Sequence, residues 1–366
     1  MTLKELLILL LILFFALFTR SFRLAYPASM YFDEIYHVPA ATLMMHGDFQ
    51  TPFSPVQIAN SEQKTSDWLH PPLAKYLQAL SMATFGVRAF AWRLPSMMMA
   101  LCSLLLFYFM VNFLGRNFFF KQESTAKKLN LSSNLALIAC FLFSLDGLFL
   151  VQARIAMNDV FVLFFALLAI FIYLIYLVRG KSFILLISGV CFGLALASKW
   201  NVLWILLFVI FKELLAIKNA KQVPFVLFSL LLTPIFVYCL TYLPMFYQGS
   251  TLLDFFSLQK TILISQLSNP STHLYSSNPL IWIFNLRPVW YFVAETAPAW
   301  VANIYALGNS LLCLYMLIAL PMSIFYLVKK KLQKSTHQIV YFLLLLYLVS
   351  FLPWLIFSRP MFFYHY

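Results

Sequence analysis

The chain has 366 residues, of which 63% are hydrophobic and only 10% are charged. Soluble domains are closer to half apolar and a quarter charged, so this composition excludes an ordinary soluble domain and indicates an integral membrane protein. The formal net charge is +13, but many Lys and Arg residues lie in short connections between apolar segments. Because no basic face of a soluble domain is predicted, we expect no nucleic-acid partner.

The first apolar segment, residues 6–18, is followed by Arg20 and Arg23 where a cleavage site would need small residues. This pattern favours a retained signal-anchor helix. Eight further apolar segments, each close to the length that crosses a bilayer, lie at 94–114, 134–150, 159–178, 182–198, 200–217, 223–244, 300–328 and 339–357. The sequence therefore predicts an all-α fold, a polytopic membrane helix bundle with about nine spans, in a single domain over residues 1–366.

Lys and Arg residues in the short loops predict the orientation of this bundle. If the amino terminus is cytoplasmic, the inner loops hold dense basic clusters, and positive charge in short loops marks the cytoplasmic side of a membrane. We therefore expect a multi-pass protein of the cell (inner or plasma) membrane with two long outer loops, about 20–93 and about 245–299. These loops are expected to carry short interfacial helices, one of them over residues 72–85.

The outer and boundary segments contain the side chains that could carry chemistry. Asp33 and Glu34 form an adjacent acid pair in the first outer loop, and a carboxylate can act as a general base. Cations at the same level could hold a phosphate, because an anionic leaving group needs charge compensation. The further candidates are His70, Arg93, Arg154, Asp159, Lys199, His273, Arg287, Arg359, Tyr364 and His365. One base with several cations suits displacement at a carbon whose leaving group is phosphate.

Simpler interpretations of several residues stay open at this point. Asn158 and Asp159 would cap the helix that starts near residue 160, and Lys199 with Trp200 would anchor a helix end at the interface. Two histidines of the first outer loop are interpreted as ordinary loop residues: His37 and His46. The histidines and carboxylates of this loop show no recognised metal-ligand spacing, so no metal site is predicted, although a divalent metal stays open.

Several motifs follow one another in a characteristic order. The pair Asp33-Glu34 comes after the first span, and the sequence His-Pro-Pro-Leu-Ala-Lys follows at residues 70–75. The later motifs are Arg154 to Asp159, Ser198 to Trp200, residues 272–292, Ile304 to Asn309 and Arg359 to Tyr366. This ordered set resembles the protein O-mannosyltransferase family, within the polyprenyl-phosphate-dependent membrane glycosyltransferases. The second outer loop is too short for the β-trefoil domain of eukaryotic members, which favours the bacterial type.

The resemblance implies transfer of a mannosyl or related sugar unit from a polyprenyl-phosphate donor to Ser or Thr hydroxyls. The acceptors would be secreted or membrane proteins on the outer face of the membrane, and the transfer would invert the sugar configuration. No cofactor is implied besides this donor substrate, and the oligomeric state is not predicted.

The resemblance also implies roles for individual residues. Asp33 would take the acceptor proton, whereas Glu34 would position the acceptor or shape the loop, because adjacent side chains diverge. His70 and Lys75 would belong to the interfacial segment that lines the site. The candidates for holding the lipid phosphate are Arg93, Arg154, Lys199, Arg287 and Arg359.

Other functions stay open from the sequence alone. The same chemistry could act on lipid A or on a cell-wall glycan. A transporter or flippase is less favoured, because the acids cluster on one side of the membrane and not in paired broken helices at mid-span. The chain stops at Tyr366, inside the last motif, whereas family members continue with more helices, so a truncated and inactive member is a further alternative.

Overall fold

In a computed structural model of the chain, the described residues are 2–53, 67–267, 273–297, 300–357 and 359–365. These residues form fifteen α-helices and one two-stranded antiparallel sheet. The helices are α1 (Leu3–Ser21), α2 (Glu34–Met45), α3 (Leu73–Phe85), α4 (Ala89–Leu114), α5 (Thr125–Ser144), α6 (Gly147–Gln152), α7 (Asp159–Arg179), α8 (Ser182–Leu196), α9 (Leu203–Ala216), α10 (Val223–Leu227), α11 (Thr233–Leu240), α12 (Leu243–Tyr247), α13 (Leu252–Leu267), α14 (Ser310–Val328) and α15 (Lys334–Phe351). The strands are β1 (Val289–Ala297) and β2 (Trp300–Ala306).

Within the described ranges, five helical segments are long and apolar enough to cross a membrane. They are Ala89–Phe119, Asp159–Arg179, Ala220–Leu240, Ser310–Val328 and Lys334–Leu355. The predicted polytopic membrane helix bundle is therefore confirmed, and the chain is a multi-pass membrane protein. The count of about nine spans stays a prediction, although α1, α5, α8 and α9 lie at four further predicted positions.

One predicted span begins later than the apolar pattern indicates. Residues 300–328 were expected to be one helix, but the first seven form β2 and α14 starts at Ser310, where the Asn309 side chain accepts hydrogen bonds from two backbone N–H groups. The strands β1 and β2 are rich in aromatic and β-branched residues, which favour a pleated surface. They pair with Trp290 opposite Tyr305, so the second long loop contains a β-hairpin beside its helices.

The helix pairs that pack most closely use small residues. On α8, a Cβ added to Gly189 would lie 1.8 Å from the backbone oxygen of Ser229, and one added to Gly193 would lie 2.6 Å from the Val237 side chain. Close backbone approach of this kind is typical of helix packing in membranes. It fixes α8 against residues 223–240, and the loop after α8 carries Lys199.

Short helices cover one end of the bundle. The helix α3 has 13 residues, which corresponds to about 20 Å at 1.5 Å per residue and is too short to cross a bilayer core of about 30 Å. Its buried residue Met82 packs in one apolar cluster with Val38 of α2, Trp92 of α4 and Met245 of α12. This cluster holds the start of α2 close to the loops that precede α3 and α7.

Candidate active site

A cavity of about 440 Å³ lies where several loops and helix ends meet. Its wall comes from the start of α2, the loop before α3, the start of α7, the segment between α8 and α9, the end of α13 and the residues after α15. Seven of the residues predicted from the sequence line it: Asp33, His70, Asp159, Lys199, Arg359, Tyr364 and His365. The folded chain thus brings together groups that are separated by more than 300 positions in the sequence.

Asp33 occupies the position just before α2, and its side chain does not cap that helix. It lines the cavity and receives no side-chain hydrogen bond from the described part of the chain. Burial raises the pKa of the Asp33 carboxyl, and this effect outweighs the opposing influence of His37 and Lys199. A cavity-lining acid with a raised pKa is suited to accept a proton from a bound hydroxyl.

Glu34 has a different environment from its neighbour. Its side chain is fully buried, and its carboxylate receives two hydrogen bonds from Arg93, both of 2.8 Å. The backbone N–H groups of Tyr31 and Ala156 donate to the same carboxylate at 3.3 and 3.0 Å. Glu34 therefore connects the start of α2 to α4 and to the loop before α7, and it does not line the cavity.

Arg93 uses its remaining donors within the protein. Its guanidinium donates to the backbone oxygens of Leu24 at 3.1 Å, Pro27 at 2.8 Å and Ser29 at 3.1 Å. The side chain has no exposed surface and is not part of the cavity wall. This placement favours a structural role for Arg93 over the predicted contact with a phosphate.

Two cationic side chains line the cavity. The Lys199 ammonium lies 2.7 Å from an Asp159 carboxylate oxygen, and Arg359 donates a hydrogen bond to the Gln266 side chain. Burial lowers the pKa of the Arg359 guanidinium, but an arginine stays protonated at neutral pH. Both cations could therefore compensate the charge of a bound phosphate.

Two lining residues, His37 and Asp67, form a chain of buried charges with Lys75 behind them. The Asp67 carboxylate lies 2.6 Å from Nδ1 of His37 and 2.9 Å from Nζ of Lys75. Burial opposes its negative charge, yet Lys75 and His37 outweigh burial and hold the pKa of Asp67 well below its usual range. Lys75 has no exposed surface, so it supports the wall from behind, while burial holds the pKa of His70 well below its usual range.

Much of the cavity wall is apolar and aromatic. The apolar and aromatic lining residues are Trp204, Leu263, Leu267, Trp354 and Phe357. His365 also lines it and stacks on Trp354 with ring centroids 4.5 Å apart. A cavity lined by carboxylates, cations and apolar side chains matches an amphiphilic ligand with a charged group next to a hydrocarbon chain.

The other predicted cations and His273 lie outside this cavity. Arg154 donates three hydrogen bonds to the backbone oxygens of Thr19, Arg20 and Phe22 at the end of α1, with lengths of 2.6, 3.1 and 2.8 Å. Arg287 is exposed and donates to the backbone oxygen of Leu274. The exposed His273 packs against Phe362. Their predicted contacts with a substrate have no support in this geometry.

The cavity residues that the sequence does not predict as site residues include three with polar side chains: His37, Asp67 and Asn158. His37 belongs to α2 and is 3% exposed, so its interpretation as an ordinary loop residue is wrong. The four-residue spacing from Asp33 was the signal that could have revealed it, because residues four apart share one face of a helix.

Asn158 was interpreted as a possible helix cap, but its side chain makes no capping hydrogen bond. It is 1% exposed, and neither polar atom of its amide has a partner among the described residues. A buried amide without partners costs free energy, and such groups are tolerated mainly at functional sites. Asn158 therefore adds a polar group to the cavity wall that the fold itself does not use.

No group of three or more His, Cys, Asp or Glu side chains within the described ranges is arranged to hold a metal ion. The cavity residues Asp33, His37 and Asp67 are instead distributed between a free carboxylate and a hydrogen-bonded pair. The chemical groups that the described residues place in the site are carboxylates, imidazoles and cations.

Comparison with known proteins agrees with the resemblance seen in the motifs. Residues 122–253 match the family described as dolichyl-phosphate-mannose-protein mannosyltransferase. Residues 251–366 match the C-terminal four TMM region of protein-O-mannosyltransferase. The two matches are consecutive and together include α7, α8, the Lys199 segment and the residues after α15.

A similar sequence is the polyprenol-phosphate-mannose–protein mannosyltransferase of Corynebacterium glutamicum, which is 31% identical over 134 residues. That match covers 37% of this chain and 22% of the relative. Among solved structures, the S. cerevisiae protein O-mannosyltransferase Pmt1-Pmt2 complex bound to the sugar donor has a TM-score of 0.49 and 21% identity, covering 73% of this chain and 36% of that chain. The matched part of this chain thus spans about a fifth of the length of the Corynebacterium glutamicum relative and about a third of the length of the yeast chain. By its two consecutive family matches, the chain belongs to the protein O-mannosyltransferase family.

Proposed function

We propose that the chain transfers a mannosyl or related sugar unit from a polyprenyl phosphate to Ser or Thr hydroxyls of proteins. One observation carries this proposal: Asp33, whose carboxylate has no hydrogen-bond partner among the described residues, lines the same cavity as the cations Lys199 and Arg359. A base next to a phosphate site is the arrangement that displacement of a phosphate from a sugar carbon requires.

In the proposed reaction, Asp33 removes the proton from the acceptor hydroxyl while the hydroxyl oxygen attacks the sugar carbon that carries the phosphate. The bond from that carbon to the phosphate oxygen breaks, and the phosphate leaves with the electron pair. Attack from the side opposite to the leaving group inverts the configuration at the carbon. Lys199 and Arg359 would stabilise the charge on the departing phosphate.

The apolar part of the cavity supports a lipid-linked donor. Trp204, Leu263 and Phe357 line it and would contact the first hydrocarbon units next to the phosphate. Ligand sites of this kind combine apolar walls with a few placed polar groups. A water-soluble sugar nucleotide would leave these apolar side chains unused.

The orientation belongs to the same proposal. Basic residues concentrate at the start of α5, at residues 127–128, and in the loop at residues 329–331. We place both segments in the cytoplasm of a cell by the positive-inside rule. The start of α2 and the segment after α8 would then lie at the outer face, where secreted or membrane proteins present their hydroxyls. Protection of single cysteines from a membrane-impermeant thiol reagent in oriented vesicles tests this placement.

Transfer assays test the proposed reaction. The purified protein in lipid nanodiscs is given a polyprenyl-phosphate-mannose donor and a Ser/Thr peptide, with a peptide carrying Ala at these positions as the acceptor control. We expect transfer to the hydroxyl peptide alone and a loss of at least about 100-fold in Asp33→Asn, since a positioned base contributes about 100-fold or more.

Glu123→Gln is the matched control, because Glu123 is a carboxylate paired with the exposed Lys127 and does not line the cavity. It should transfer at the rate of the unaltered protein. Sugar incorporation into lipid A or glycan acceptors without incorporation into the peptide would overturn the protein-acceptor assignment.

A further inference from the structure

His37 and Asp33 stand on the same part of α2. Asp33 is the residue just before the helix and His37 follows four positions later, so their side chains share one face. Both line the cavity. The imidazole of His37 is therefore next to the proposed base, yet the proposed transfer step does not use it.

Nδ1 of His37 is held by a buried carboxylate. The distance from this nitrogen to the Asp67 oxygen is 2.6 Å, and both side chains are 4% exposed. Lys75 holds the same carboxylate at 2.9 Å and also donates to the backbone oxygens of Asp67 and His70 at 2.7 and 2.8 Å. Asp67 is thus anchored as an anion and can orient the ring of His37.

This anchoring decides which nitrogen of His37 is available. With Nδ1–H directed at the Asp67 carboxylate, Nε2 is the nitrogen that can accept a proton. Within the described part of the chain no hydrogen bond reaches Nε2 of His37. A buried carboxylate that fixes one imidazole nitrogen and stabilises the protonated ring is the arrangement by which proteins prepare a histidine for proton transfer.

We propose that His37 is a second proton-handling residue of this site, an inference that rests on the proposed function. After the acceptor proton has moved to Asp33, the Asp33 O–H bond breaks and an N–H bond forms at Nε2 of His37. Asp33 is thereby returned to its carboxylate form, and the imidazolium is balanced by the anionic Asp67. Release of this proton to water completes the cycle and leaves no net change in the protein.

The transfer between the two side chains passes through one water molecule, which gives a proton to Nε2 of His37 and takes one from Asp33, because no direct hydrogen bond joins Asp33 to His37 in the described residues. A single bridging water connects polar groups at small free-energy cost. The charged and titratable groups near His37 come from α2, α3, the loop between them and the segment after α8. They are Asp33, Asp67, His70, Lys75 and Lys199.

The decisive variant is His37→Asn, because the Asn amide can keep a hydrogen bond to Asp67 while Nε2 is lost. His46→Asn is the matched control: His46 lies at the end of the same helix, is exposed and does not line the cavity. The assay measures kcat and KM for the polyprenyl-phosphate-mannose donor in nanodiscs between pH 5.5 and 8.5, with melting temperatures of all proteins. Imidazole is then added to His37→Ala as a soluble proton acceptor.

We expect kcat of His37→Asn to fall by about 10- to 100-fold while KM for the donor changes less than threefold. Imidazole should restore the rate of His37→Ala in proportion to its concentration, which a purely structural role would not allow. Equal kcat in His37→Asn and His46→Asn, or a loss in His37→Ala that imidazole does not relieve, would overturn the inference. If His37→Asn does not fold, His37→Gln gives the same comparison.

The failure of this inference can be separated from failure of the proposed function. An active Asp33→Asn protein, or an unaltered protein that glycosylates no hydroxyl peptide, would reject the proposed function. An inactive Asp33→Asn protein together with a fully active His37→Asn protein would reject the role of His37 alone.

Discussion

Replacing Glu34 by Gln tests whether the two neighbouring acids have separate roles. The Glu34 carboxylate is fully buried and receives four hydrogen bonds, two of them from Arg93. Every hydrogen bond to the Glu34 carboxylate is donated to it, so the NH2 group of the Gln amide in Glu34→Gln would face another donor group. The fully buried guanidinium of Arg93 would also lose its counter-ion. Removal of one partner from a buried ion pair costs about 3–5 kcal/mol.

We expect the free energy of unfolding of Glu34→Gln to fall by about 3 kcal/mol, near the lower end of this range, because Gln keeps the shape of the side chain. This corresponds to roughly a 100-fold change in the unfolding equilibrium. The neighbouring replacement Asp33→Asn is the matched control, since it makes the same chemical change one position away. Within the described ranges the Asp33 carboxylate has no hydrogen-bond partner, and burial raises its pKa. Its replacement by an amide should therefore leave the stability equal or higher.

The measurement is unfolding of both variants in mixed detergent micelles, followed by tryptophan fluorescence, with transfer activity assayed on the folded fraction. The expected pattern is a stable, inactive Asp33→Asn and a destabilised Glu34→Gln whose folded fraction retains activity. A Glu34→Gln protein with unchanged stability and no activity would refute the structural role derived for Glu34.

Two further predictions concern the cations and the acid side of the pH range. Lys199→Met should raise KM for the donor about 10- to 100-fold, as expected when a charge-assisted hydrogen bond worth about 1.5–3 kcal/mol is lost. Arg154→Met should instead lower the melting temperature with KM nearly unchanged, because Arg154 binds the end of α1; equal KM effects would contradict this division. The pKa of Asp67 is lower in the folded protein than in the unfolded chain, so its stabilisation is complete above about pH 5 and is lost as pH falls further. A scan of melting temperature from pH 6 to pH 3 should show this loss, and an equally steep scan for Asp67→Asn would contradict it.

The sequence predicts the helical membrane architecture well, because apolar runs of span length and basic loops are strong local signals. The sequence does not predict the hairpin of β1 and β2, because an apolar, aromatic run is compatible both with a strand and with the start of a membrane span. Residues 300–306 satisfy both patterns, and only pairing with residues 289–297 decides between them. The prediction therefore failed where a contact across the loop determines the structure.

The sequence predicts only part of the candidate site, because contacts between distant segments decide which side chains reach the cavity. Asp33, Lys199 and Arg359 stand at helix ends or loops that meet at the cavity, as family order and residue chemistry indicated. The sequence could not separate these cations from Arg93, whose donors are all directed at Glu34 and nearby backbone oxygens. A guanidinium that binds a phosphate and one that holds a loop look alike until its neighbours are known.

The pairing of His37 with Asp67 was equally hidden. The two residues are 30 positions apart, and neither belongs to a motif that was recognised in the sequence. The structure shows that they share a hydrogen bond and that Lys75 forms an ion pair with the same Asp67 carboxylate. The spacing from Asp33 can place His37 at the site, but the pairing of His37 with Asp67 is found only from the contacts in the folded chain.

Single-turnover transfer by Asp33→Asn tests the central claim most directly. Protein in excess over a polyprenyl-phosphate-mannose donor is mixed with a saturating Ser/Thr peptide, and both donor binding and product formation are measured. We predict donor binding within about threefold of the unaltered protein and a transfer rate at least about 100-fold lower. Transfer by Asp33→Asn at the rate of the unaltered protein would contradict the assignment of Asp33 as the base.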